Sequence, residues 1–243
     1  MDMFRRLFIA AASAGLLSGL FVTLVHNVTT VPIILQAEVF EQAAEQQAPA
    51  AAAAEESHDH DAAAGEHAHD GEEEEPQGRL ERAAKTAGAD LLTGIGFALL
   101  LIAAYAVSGR AVDWRQGVYW GLAGFAVFML APSLGLPPEV PGTAAADLTA
   151  RQIWWVATVV LTASGLALLF YKQQPNPLFV VVALALIVAP HAIGAPQPEH
   201  YESAAPESLA HRFITATMIA QLLFWAVLGA LSGYFYKRFV QPA

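Results

Sequence analysis

About six long apolar stretches, joined by short polar connections and one long one, set the pattern of this chain. A hydrocarbon core of about 30 Å takes about 20 apolar residues per helix. On that measure the first stretch runs from Leu7 to Leu35, the second from Leu91 to Val107 and the third from Gly117 to Leu136. The fourth runs from Ile153 to Tyr171, the fifth from Leu178 to Gly194 and the sixth from Phe213 to Tyr236. The fifth is the shortest and carries Pro190, while the first is long enough to tilt or to bend at Pro32. Gly15-x-x-x-Gly19, Gly117-x-x-x-Gly121 and Gly229-x-x-x-Gly233 are small-residue pairs, whose plain reading is close helix packing. The pattern predicts an all-α fold, a polytopic membrane helix bundle of about six transmembrane helices with a disordered acidic His-rich first outer loop. Three parts follow: residues 1–41, the first helix with an acidic extension; 42–78, a low-complexity His/Glu-rich loop; and 79–243, a five-helix membrane bundle.

Composition sharpens this. Of 243 residues, 56% are hydrophobic and only 14% charged, against about 25% charged in soluble domains. The net charge of −10 gathers mostly between Glu38 and Glu75, so it describes a loop. A polyacidic loop argues against nucleic acid as a partner, and membrane lipid is the expected surrounding. Arg5, Arg6, Arg110, Arg115, Lys172, Lys237 and Arg238 fall on one side of a six-span topology. That side is cytoplasmic by the basic-residue bias, which places both termini inside and the His-rich loop outside an inner membrane. A cleaved signal peptide competes for the first stretch; its length and the lack of a small-residue cleavage site favour a retained helix.

Cysteine is absent, so any metal must be held by nitrogen, oxygen or thioether ligands, which disfavours a dedicated Cu(I) site. The long loop carries His58-Asp59-His60 and His67-Ala68-His69, four histidines within twelve residues, among acids. Imidazole and carboxylate suit a borderline divalent ion, and the acids raise its local concentration. A flexible tract binds weakly and releases quickly, as a collector should.

Three further histidines come from separate helices. His26 shares a face of the first stretch with Ala11, Gly15, Gly19 and Thr23; it lies about 28 Å along the helix from Leu7 at about 1.5 Å per residue. His191 ends the fifth stretch, and His211 heads a stripe with Thr215, Met218, Leu222, Gly229 and Gly233. All three are expected at the outer level, where Glu38, Glu41, Glu199, His200 and Glu202 also lie. Together they supply a site of about four to six ligands; taken singly, a histidine at a helix end is more often an interface residue. Met218 and Gln221 fall mid-membrane, and Ala131-Pro132-Ser133 interrupts the third stretch. No nucleotide-binding loop, His-Glu-x-x-His or Gly-x-Ser-x-Gly occurs, so neither an enzyme nor an organic cofactor is expected.

The segments Val31–Glu41 and Ala131–Gly142, with Trp154-Trp155, Pro190–Pro196 and Leu223-Phe224-Trp225, resemble the CbtA-type cobalt transporter subunits over nearly the whole chain. The resemblance implies Co2+ as the transported ion, uptake that feeds cobalamin synthesis, and a small single-span CbtB-type partner. Such partners carry a His-rich tail; here the His-rich tract lies in the chain's own first outer loop. The residues alone leave two other readings open: a membrane metal sensor or buffering module that does not translocate, and transport of Ni2+ or Zn2+ by the same architecture.

Overall fold

The computed structural model describes residues 2–47, 76–171 and 176–241. Among these, seven helices follow in order. They are α1 (Asp2–Val28), α2 (Val31–Gln47), α3 (Pro76–Ser108), α4 (Trp114–Phe125, a π-helical turn Ala126–Leu130, then Ala131–Ser133), α5 (Leu148–Tyr171), α6 (Pro177–Ile193) and α7 (Glu207–Phe239). Four of them, α1, α3, α5 and α7, are long and apolar enough to cross a membrane. The α6 helix is apolar but has 17 residues, and α4 is interrupted, so these two account for the remaining stretches of the sequence pattern.

Prolines decide where helices break. The bend expected at Pro32 falls one turn earlier, where Thr29 and Thr30 form a turn between α1 and α2. A proline ring collides with the carbonyl four residues before it, here Val28, and α1 ends there. Side chains add to the backbone bonds of the last turns of α1: Asn27 Nδ2 donates to Thr23 O at 2.8 Å, and Thr29 Oγ1 joins its own amide on Val25 O, at 2.7 Å. Pro132 acts in the same way on α4. The π turn immediately before it absorbs the missing donor and the displaced carbonyl. The α4 start is fixed by a capping box, in which Asp113 Oδ1 accepts from the Arg115 and Gln116 amides while Gln116 Oε1 accepts from the Asp113 amide.

Lipid leaves little hydrophobic drive between helices, so close packing of small residues has to supply the cohesion. Two glycine seams do this. On the first, Gly15 and Gly19 of α1 press against Gly94, Ile95 and Leu91 of α3; a methyl added to Gly19 would stand 2.8 Å from Leu91 Cα. On the second, Gly117 and Gly121 of α4 meet Gly229 and Gly233 of α7, and a methyl on Gly117 would strike the Gly229 carbonyl. Between the seams lies an aromatic core. The Trp225 ring is stacked on Phe128 at 5.6 Å and packs against Phe97 at 4.7 Å, with Tyr105 and Tyr236 edge-on at 5.5 Å. The α1 helix also packs on α7, whereas α5 and α6 pack mainly on each other and reach the core through the π turn of α4.

One end of the bundle carries α2 and two long connections. These are stitched together: Ala144 N donates to Glu202 O at 2.8 Å and Ala204 N to Gly142 O at 3.1 Å. A small second core of Ile33, Ala37, Val140, Ala205 and Leu209 ties α2 to both connections and to the start of α7. At the opposite end, Gln241 Nε2 donates to Arg110 O at 3.3 Å.

Candidate functional site

The first glycine seam brings a half-buried polar cluster together at the loop-bearing end of α1. Gly19 lets α3 come so close that Asp90, one turn before Gly94, lies beside the stripe of Thr23 and His26. The Thr23 hydroxyl lies in donating reach of both Asp90 Oδ2, at 2.9 Å, and Gly19 O, at 3.0 Å, and His26 Nδ1 lies 3.3 Å from the same Asp90 oxygen. The side chains of His26 and Asp90 are only 16% and 15% exposed. A carboxylate this sheltered needs donors around it, because an ionised group without partners costs several kcal/mol or neutralises. The sequence reading placed His26 on the inward face and missed Asp90, which reads as the polar flank of an apolar run. Its signal was available: Asp90 and Gly94 share one face of α3, the small-residue face.

The other predicted residues are placed apart. Glu38 on α2 takes a two-pronged contact from Arg82 Nη1 of α3, at 2.8 and 3.0 Å to its two oxygens. Glu41 packs beside Gly142, whose φ of +73° suits glycine. His191 meets the edge of the Trp154 ring at 5.9 Å, while Trp154 Nε1 donates to Pro190 O at 3.1 Å. His211 pairs with Glu207 one turn earlier at 3.4 Å, on an exposed surface. His200, Glu199 and Glu202 are exposed, and Met218 and Gln221 are half-buried on α7. His58, His60, His67 and His69 lie outside the described residues. Among the described residues, no three His, Asp or Glu side chains stand close enough together to hold one metal ion. The helices that carry His26, His191 and His211 thus end at the same end of the bundle, while their side chains take separate partners.

Two hollows open at that end. One of about 60 Å³ lies between the stitched connections, beside Pro137, Pro138 and Tyr201 and the Glu139–Arg151 ion pair at 2.9 Å. The other, of about 430 Å³, is an open groove between the α1–α2 turn and α7, lined by Thr29, Ile33, His211, Arg212 and Thr215. The first has no imidazole in its wall and suits water; the second has one, already paired with Glu207.

Residues 4–237 match the family described as probable cobalt transporter subunit (CbtA). The chain belongs to that family. No curated protein and no solved structure matches it. CbtA membership together with four membrane-length apolar helices makes this a membrane protein and a cobalt transporter subunit by family, which speaks for transport rather than catalysis. Co2+ is then the transported ion that the family implies, with a further subunit at its side.

Proposed function

We propose that this CbtA-family protein takes Co2+ from outside the cell into the cytoplasm across the inner membrane, supplying cobalamin synthesis. The observation that carries the reading is the family match over residues 4–237, on a chain built of apolar helices. In this reading α4 and α6 cross the bilayer along with the four long helices. Both termini are cytoplasmic, and the end that carries α2 and the stitched connections faces out.

Capture is successive rather than simultaneous. His58, His60, His67 and His69 collect the ion. Glu38, Glu41, His191, His200 and His211, set apart from one another, make the outer end a field of weak sites that raises the local ion concentration. His26 receives the ion at the head of the bundle, and the region near Met218 and Gln221 passes it inward. A small single-span CbtB-type subunit completes the transporter.

Purified protein in sealed vesicles, with and without that partner, tests this. Entry of Co2+ ahead of Ni2+ and Zn2+ is expected. Vesicles that bind Co2+ yet admit none under either condition would overturn transport in favour of a sensing or buffering role.

A further inference from the structure

We propose that Thr23, His26 and Asp90 form a binding station for one partly hydrated divalent transition-metal ion on the α1–α3 seam. The inference rests on the metal-transport reading, and it assigns the ion a carboxylate that the sequence pattern did not single out.

The ligand chemistry fits. Asp90 supplies a carboxylate oxygen, and the His26 imidazole Nδ1 and the Thr23 hydroxyl both stand within hydrogen-bond reach of it. Bonds of about 2.0–2.1 Å from a tetrahedral ion put neighbouring ligand atoms about 3.3–3.4 Å apart. The observed separation of Nδ1 and Oδ2 is 3.3 Å. The two atoms can therefore share an ion with little side-chain movement, and the hydrogen bond between them is replaced by two metal bonds.

The surroundings fit as well. The Asp90 carboxylate offsets one of the two positive charges of a divalent ion, and Arg82 of α3 is engaged with Glu38. With two strong ligands and one weak one the ion keeps water in its remaining positions. That suits a station that passes an ion on, since a closed four-ligand site would hold it. The seam also sets the precision. Gly19 stands in contact with the backbone of Asp90 and Leu91, so the donor atoms are carried on two rigid helices rather than on loops.

The test uses the full chain with His58, His60, His67 and His69 changed to Ala, so that the long loop does not mask the site. Purified protein is titrated with Co2+ alone, followed by calorimetry and by the visible absorption of the ion. One Co2+ per chain is expected. Loss of positioning partners alone costs metal sites about 10–100-fold, so Asp90→Asn and His26→Gln are each expected to weaken binding at least about ten-fold and to change the spectrum. Thr23→Val should weaken it by a smaller factor, and Lys85→Gln, on the polar extension of α3, should leave it unchanged. Gel filtration and thermal unfolding confirm the fold of each variant; if Asp90→Asn does not fold, His26→Gln and Thr23→Val read the same site. A parent that binds no Co2+, or folded Asp90 and His26 variants that bind as the parent does, would overturn the station. The measurement needs no transport: a protein that binds at the cluster and passes no Co2+ through vesicles overturns the uptake reading and leaves the station standing.

Discussion

Two histidine–carboxylate pairs sit at the same end of this bundle and mean different things. His211 and Glu207 lie one turn apart on α7, at 3.4 Å, with side chains 71% and 90% exposed. His26 and Asp90 come from different helices, at 3.3 Å, and both are mostly enclosed. Water screens the first pair and competes for its hydrogen bonds, so it contributes little. The second pair has little water to fall back on; its groups depend on each other, on Thr23 or on a ligand. Nearly equal distances therefore carry unequal weight, and burial decides which pair matters more to the groups that form it.

The strongest way to break this contrast is to spoil the seam that encloses one pair. Gly19→Leu drives a side chain into the α3 backbone, where even a methyl meets Leu91 Cα at 2.8 Å. We expect a loss of about 1–3 kcal/mol or more, seen as a lower unfolding temperature, together with loss of Co2+ binding at His26. Gly78→Leu, where an added Cβ meets nothing within 4 Å, should do neither. Equal effects at both glycines would show that the seam is not what positions the cluster.

Next in size, Asp90→Asn should lower Co2+ uptake at least about ten-fold in cells at unchanged protein level, by the ligand argument. Uptake at the parent rate would return this pair to the same class as the exposed one. Smaller again is removal of His58 to His69, which should slow uptake at scarce Co2+ and leave it near normal at plentiful Co2+. Equal loss at both concentrations contradicts a collecting role. The smallest effect belongs to Glu207→Gln. An exposed pair one helical turn apart is worth about 0.3–0.5 kcal/mol, so stability should barely move and uptake should persist. A large drop would mean that the exposed pair has a partner within the assembly.

Much of this was legible beforehand. The apolar runs located every long helix, because a span must satisfy its own backbone and announces itself in composition. Gly15, Gly19, Gly117, Gly121, Gly229 and Gly233 marked the inward faces, and the structure mates them in two seams. The chain pattern was less informative about helix ends. The α3 helix begins at Pro76 and α7 at Glu207, because polar residues continue a helix past the membrane and hydropathy cannot see them. Pro32 marked a break without fixing its position, since the ring acts on a carbonyl one turn away.

The sequence by itself determined that this is a helical membrane protein and that the glycine pairs of α1, α4 and α7 turn inward, whereas the stripe headed by His211 leaves His211, Thr215 and Leu222 exposed. Periodicity and composition are local properties and can be read from one strand of text. The tertiary structure alone decided that His26 faces Asp90, that Glu38 is taken by Arg82 and that His191 lies against Trp154. Those pairings depend on the depth at which one helix stops sliding along another, and that depth is set where glycine backbones touch.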